Sequence, residues 1–321
     1  MFDPASVPVP PAPPRVAVVG SLHYDIMVRA PYLPRAGETL IGETWWWKTG
    51  GKGGNAAMAA ARHGAAVEMI GRLGEDGFGE RLRESLASAG VGLRHVRTVA
   101  AGSGMSVAIT QPDGDYAAVV VSGANRDLDP EQVAAGADAI REARVLLLQN
   151  EIDEGADAAA ARLARAGQTV VILNAAPARP MGAMSGLVDV LVVNSVEAEM
   201  LGAGPVHDLD TAAEAAQALL MVAPTVIVTA GSAGVAAAAD AQRWTVPAYS
   251  IDVPDAHGAG DVFVGALAAR LAGDAALSDA LRYANAAAAL HVGTPEAERE
   301  ALGVAAVEAL LEGSGEVADG S

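Results

Sequence analysis

The chain has no cysteine in its 321 residues, only 4% aromatics, and barely half as many basic as acidic side chains, 21 Lys and Arg against 39 Asp and Glu. Without cysteine there are no disulfides, which suits a reducing cytoplasm, the expected compartment. The formal charge of −18 at pH 7 sets up a field that repels nucleic acid and anionic membrane, so neither is expected as a partner. A neutral ligand meets no such barrier, whereas an anionic one needs local positive potential. Apolar runs are short and broken by charge or glycine, and no membrane span is expected. Residues 1–14 are Pro-rich and lack both the basic and the apolar stretch of a signal peptide, so they read as a flexible tail.

What is present is apolar residues in quantity, 51%, enough for a sizeable core. Arg15-Val16-Ala17-Val18-Val19-Gly20 is a continuous apolar run of the kind found in strands buried on both faces. Similar runs recur at 145–149, 169–173, 190–193 and 225–229, several separated by Ala-rich helical stretches such as 154–166. Strand and helix alternating in this way predict a parallel sheet covered by helices, with ligands at the carboxyl ends of the strands. Two regions have another texture. Residues 25–29 and 39–48, and 105–110 with 116–121 across a Gln111-Pro112-Asp113-Gly114-Asp115 turn, predict β-ribbons. In Trp45-Trp46-Trp47 the indoles alternate faces, so at least one side must find apolar contact, within the chain or on a second subunit.

Near the end, Gly258-Ala259-Gly260-Asp261 opens a helix. Unpaired amides of Gly258, Ala259 and Gly260 can point at an anion, the helix dipole adds positive potential, and Asp261 places a base beside it. Taken alone, the same residues also describe a helix whose first turn carries a stabilising Asp. Early in the chain stands Gly50-Gly51-Lys52-Gly53-Gly54-Asn55, where backbone and a lysine can wrap a polyhydroxy ligand. It is not a P-loop, which would need Gly at Trp46 and a hydroxyl at Gly53. A loose dinucleotide fingerprint also fits, but the first βα turn of the sheet falls at Gly20 instead.

Together, in this order, the two segments resemble the signatures of the ribokinase family of sugar and nucleoside kinases, also called the phosphofructokinase-B family. Pro34-Arg35-Ala36-Gly37-Glu38-Thr39-Leu40 and Leu173-Asn174-Ala175-Ala176-Pro177-Ala178 extend the resemblance, which runs from about Val16 to about Val292. It implies an α/β fold, a three-layer α/β/α domain over residues 15–312 with a mostly parallel sheet, and a flexible tail from 313. A small β-sheet lid is implied, from residues 24–30, 38–48 and 104–121, through which many members form a homodimer. The implied reaction is ATP-dependent phosphorylation of the primary hydroxyl of a small sugar, D-ribose before others. A nucleoside kinase of the adenosine or pseudouridine type, or a sugar-sensing binding protein without catalysis, is the alternative.

The resemblance also implies roles. Asp261 is the base, and Gly258, Ala259 and Gly260 form the anion turn; Asp25, Gly51, Lys52, Asn55 and Glu151 bind the sugar, with a helix over 56–64 starting behind Lys52 and Asn55. His23 stands where the family usually has Asn. Asp25 and Glu151 equally suit a turn and a surface loop. Asn194 and Glu197 lie near the phosphates and Mg²⁺ in the family, and their N-x-x-E spacing is also that of a helix capping box. Thr229, Gly231 and Gly234 match a loop beside the nucleotide, or a plain strand-ending turn. Asn285 matches a nucleotide-side position, and as a mid-helix Asn it calls for a polar partner. Asp255 and His257 match positions that hold a monovalent cation, K⁺, although His257 replaces the usual Thr and His291-Val292-Gly293-Thr294 departs from the segment that completes that site.

Overall fold

The computed structural model describes residues 12–112, 116–253 and 257–315. Its first half runs β1 (Arg15–Val19), β2 (His23–Arg29), β3 (Thr44–Gly50), α1 (Lys52–Arg62), β4 (Ala66–Gly74), α2 (Gly77–Ser88), β5 (Gly92–Val99), β6 (Gly104–Thr110), β7 (Tyr116–Val121), α3 (Pro130–Ala135), α4 (Ala137–Glu142) and β8 (Val145–Gln149). Then follow α5 (Glu154–Gly167), β9 (Val170–Asn174), β10 (Val190–Asn194), α6 (Ser195–Met200), α7 (Leu209–Ala218), β11 (Thr225–Thr229), β12 (Gly234–Ala239), β13 (Gln242–Pro247), α8 (Ala259–Ala272), α9 (Leu277–Gly293) and α10 (Val304–Gly315).

Nine strands form the central sheet in the order β13-β12-β11-β10-β9-β8-β1-β4-β5. All neighbours are parallel except β11–β12 and β12–β13. The apolar runs become its centre because a strand covered on both faces must be apolar at every position. In β1, Val16 and Val18 pack into one core with α1, α8 and α9, while Ala17 and Val19 pack into the other with α5 and α7. Strand β12, Gly234-Val235-Ala236-Ala237-Ala238-Ala239, is rich in alanine, a helix former; its pairing between β11 and β13 overrides that preference.

A second sheet has the order β3-β2-β6-β7, with β2 and β6 parallel and the outer pairs antiparallel. The turn at 113–115 lies outside the described residues. The ribbon expected over 39–48 begins only at Thr44 and continues to Gly50. Glu43 N–H donates to the Arg29 carbonyl at 2.8 Å, and Arg29↔Thr44 is the last β2–β3 pair, so residues 39–43 have no partner strand there. Tyr24 is sandwiched between Trp47 (ring centroids 4.8 Å apart) and Phe78 of α2 (4.3 Å), which fastens this sheet to the body. Trp46 faces the other way and donates to Glu296, and Trp45 is exposed. The terminal helix α10 runs to Gly315, into the segment expected as a tail. Among the described residues no helix is long and apolar enough to cross a membrane.

Candidate active site

The chain leaves β1 through Gly20 and Ser21, and β2 begins at His23. Helix α1 starts at Lys52, four residues before the expected start at 56, so Lys52 to Asn55 form its first turn rather than a loop. This turn lies directly on the Gly20–Ser21 backbone: a Cβ at Gly53 would sit 2.7 Å from Ser21 N, and Gly54 N–H donates to Ser21 O at 3.0 Å. The glycine run therefore serves close approach of two backbones. Glu151, just past β8, completes the joint. Its Oε2 accepts from Ser21 Oγ at 2.5 Å and from Lys52 N–H at 3.0 Å, placing a carboxylate on the amino end of α1, where the dipole favours it.

Asp25 lies two residues into β2 on the same face as His23. It is buried, accepts from Ser106 Oγ on β6 at 2.6 Å, and extends over Gly50.

Asp261 is the third residue of α8, whose N-cap, Gly258, is left-handed with φ 82°. Helix α8 packs against α1 so tightly that a Cβ at Gly265 would stand 2.6 Å from Ala56 O. That contact brings the two sequence motifs together. Asn55 Nδ2 donates to Asp261 Oδ2 at 2.9 Å, across 206 residues. Burial pushes the Asp261 carboxyl above the usual range; the Lys52 ammonium and the Asn55 amide pull it back, and the Glu151 and Asp25 carboxylates push it up again. Asp25, Lys52, Asn55, Glu151 and Asp261 thus share one electrostatic neighbourhood at the carboxyl ends of β1 and β8, which is what a buried base beside a polar ligand requires.

A family profile described as pfkB family carbohydrate kinase matches residues 13–301. The chain belongs to the pfkB carbohydrate kinase family. Ribokinase of Bacillus subtilis is 33% identical over 280 residues, 86% of this chain and 92% of the relative. Deoxyribokinase of Salmonella typhi is 31% identical over 257 residues, 79% and 84%. Arabidopsis thaliana ribokinase, solved with ribose and ATP, superposes with a TM-score of 0.85 at 30% identity, covering 94% of this chain and 99% of that one. The ribokinase fold, with its large parallel sheet and smaller second sheet, is the fold described above.

Further along the same sheet, Asn194 ends β10 and pairs in register with Thr229 at the end of β11. Asn194 and Glu197 form a complete capping box: Glu197 N–H donates to Asn194 Oδ1 at 2.8 Å, and Asn194 N–H to Glu197 Oε2 at 2.9 Å. Burial raises the Glu197 carboxyl, against the Asn194 amide and the Lys52 ammonium. Lys52 therefore acts electrostatically on Asp261 and Glu197 alike. Thr229, Gly231 and Gly234 form the turn between β11 and β12, with Gly231 at φ 55° and Gly234 at φ 120°. The polar partner that Asn285 requires is Pro247 O, 2.9 Å from its Nδ2, so its amide nitrogen anchors the end of β13. The His257 carbonyl accepts from His291 Nε2 at 3.0 Å; Asp255 lies outside the described residues.

Three side chains that hold these candidate residues in place carry no signal in the sequence. Ser21 links Glu151 to the α1 turn, Ser106 orients Asp25, and Asn125 clamps Leu22 by accepting from its N–H and donating to its C=O, both at 2.8 Å. Each is a lone polar residue whose partner is distant in sequence.

The Asn55–Asp261 bond carries a testable consequence. Asn55→Ala removes one of the two groups that lower the Asp261 pKa, so the acid limb of the kcat–pH profile is expected to move to higher pH. An unmoved limb in a folded variant would separate Asn55 from the ionisation that controls turnover.

Proposed function

We propose that this kinase transfers the γ-phosphoryl group of ATP to the primary hydroxyl of D-ribose, giving ribose 5-phosphate and ADP. The observation that carries the reading is the buried Asp261 carboxylate, bonded to Asn55 at the mouth of α8 and within the electrostatic influence of Lys52, Glu151 and Asp25. Asp25, Glu151 and the backbone at Gly51 hold the sugar hydroxyls. Asp261 accepts the proton of the primary hydroxyl as its oxygen bonds to the γ-phosphorus and the bond to the ADP oxygen breaks in line. The amides of Gly258, Ala259 and Gly260, at the positive end of a 14-residue helix, hold the charge that shifts during transfer. Lys52, which acts on both Asp261 and Glu197, supplies positive potential that the global charge of −18 withholds.

On the nucleotide side, Asn194, Thr229, Gly231 and Gly234 line the loops that take ATP, with Asn285 holding Pro247 behind them. Glu197 is the carboxylate suited to water-mediated contact with Mg²⁺, because its capping role engages only Oε2; bound with ATP, the ion would neutralise phosphate charge. For K⁺ the residues fit poorly, since the His257 carbonyl already faces an N–H of His291. The kinase unit spans residues 15–312 and works in the cytoplasm. Homodimerisation through the lid is supported by β7, an edge strand on which Val119, Val120 and Val121 are each at least half exposed.

ADP release with Mg²⁺ across ribose, 2-deoxyribose, fructose, adenosine and pseudouridine tests the assignment. Turnover is expected with ribose in preference to both nucleosides, and exchange of K⁺ for choline should change it less than about twofold, well below the ~10²-fold or greater loss expected on removing a positioned base. Sugar binding without turnover on any acceptor would replace the kinase by a sensor.

A further inference from the structure

The turn that opens α8 begins on a residue that cannot hold its own shape. Its N-cap is Gly258, left-handed at φ 82° and without a side chain to cap the helix. Glycine accepts φ on either side of zero, so residue 258 offers little steric resistance to rotation of the 257–258 peptide. The group that faces this peptide comes from another element. His291, in the last turn of α9, sets Nε2 3.0 Å from the His257 carbonyl oxygen. The same ring lies against Gly258, where a Cβ would stand 3.1 Å from Nε2 and 3.8 Å from Cε1.

A carbonyl oxygen can only accept, so the hydrogen of this bond is on Nε2. Arg299, buried in the segment after α9, donates from Nε to Thr294 O at 2.9 Å and places Nη1 3.4 Å from the same ring nitrogen. With the Nε2 hydrogen on the carbonyl, that second contact is packing against the ring. The 257–258 peptide is trans, Ala176-Pro177 being the one cis bond among the described residues. In a trans peptide the C=O and the following N–H point in opposite directions. Pinning the His257 oxygen toward α9 therefore turns the Gly258 N–H away from α9. The turn itself is open to a ligand, since Gly260 is exposed and a Cβ there would meet nothing within 4 Å.

We infer that His291 is a positioning residue for phosphoryl transfer: by holding the 257–258 peptide in one orientation, it keeps the Gly258 N–H aimed, with those of Ala259 and Gly260, at the charge that shifts during the reaction. It touches no reacting atom. Its effect is preorganisation: a donor already aimed needs no reorganisation in the transition state, whereas a peptide free to rotate would present its oxygen to the anion part of the time.

This inference rests on the kinase reading and is tested by kinetics with ribose and ATP on His291→Leu and His291→Gln, each with a thermal melt. Leucine cannot donate, and glutamine carries an N–H donor at nearly the reach of Nε2. In His291→Leu, kcat should fall by about fivefold or more, toward the 10²- to 10³-fold loss of one preorganised donor, with the KM for ribose within about twofold of the parent. His291→Gln should recover most of the lost kcat. A mere loosening of α9 against α8 would move KM together with kcat and would not distinguish glutamine from leucine. The wild-type protein supplies a measurement free of any variant. In ¹⁵N-labelled protein at a pH of about 8, above the ordinary imidazole pKa of about 6.5, the His291 Nε2 signal should be that of a protonated nitrogen. The Gly258 amide should shift when ADP and aluminium fluoride, a mimic of the phosphoryl group in transfer, are added to the ribose-bound protein.

An Nε2 without hydrogen, a Gly258 amide indifferent to that mimic, a kcat loss under about fivefold in folded His291→Leu, or a glutamine variant no better than the leucine one overturns the role of His291, while wild-type turnover of ribose leaves the kinase assignment standing. No turnover of any acceptor by the wild-type protein removes both.

Discussion

Asp261→Asn is expected to lower kcat by about 10²- to 10⁴-fold, the range a positioned general base contributes, with ribose binding and the folded structure retained. The substitution is nearly isosteric, and the amide oxygen can still accept from Asn55. Burial raises the folded-state pKa of Asp261 above its unfolded value, so the folded chain binds the proton more tightly than the unfolded chain does. Its contribution to stability is therefore fully present below the unfolded pKa and lost as pH rises through the folded pKa. At neutral pH the ionised carboxylate is a cost to folding, and Asp261→Asn should melt at the same temperature as the parent or higher. For activity the sign reverses: the base works only when ionised, so turnover falls on the acid side at a pH above that of an ordinary aspartate. Thermal melts, ribose calorimetry and single-turnover rates on one preparation decide the matter. A variant turning over within tenfold of the parent would remove Asp261 as the base, and one that fails to bind ribose would show the carboxylate to be a structural support.

Gly50→Ala should raise the KM for ribose by about tenfold or more, with kcat changed far less. A Cβ at residue 50 would stand 1.9 Å from Asp25 Oδ2 and 2.3 Å from its Cγ, distances no pair of unbonded atoms tolerates. Asp25 is buried and tied to Ser106, so its carboxylate must leave that position or the strand must shift. Under the proposed reading, either change removes charge-assisted hydrogen bonds to the sugar, each worth about 1.5–3 kcal/mol, where 1.4 kcal/mol is tenfold. The added Cβ meets Asp25 and neither Asp261 nor the α8 turn, so the larger part of the loss is expected on KM, with kcat altered only through the Asp25 carboxylate's effect on Asp261. Asp25→Asn should reproduce the KM effect without a steric change, and an unaltered KM in both variants would show that Asp25 does not hold the sugar.

Much of the candidate site is visible along the chain because it is concentrated in two short segments with peculiar composition. Gly50-Gly51-Lys52-Gly53-Gly54-Asn55 and Gly258-Ala259-Gly260-Asp261 each break the ordinary statistics of a helix start, and the apolar runs locate the strand that ends at Asn194 and the one that ends two residues before Glu151. The capping box at Asn194 and Glu197 was legible too, since both partners lie within one helical turn. Boundaries were less so. The start of α1 at Lys52 depends on Glu151 lying against its first amide, a contact 99 residues distant. That residues 39–43 lie outside the ribbon depends on where β2 stops.

Local order alone, then, set the apolar periodicity of the sheet, the two glycine segments and the residue types that a phosphoryl transfer needs, because each is a property of neighbours along the chain. Only the packed molecule decided that Asn55 meets Asp261 and that Ser106 orients Asp25. Those contacts join residues 206 and 81 positions apart, and they exist only once α8 has closed on α1 and the small sheet has been anchored through Tyr24.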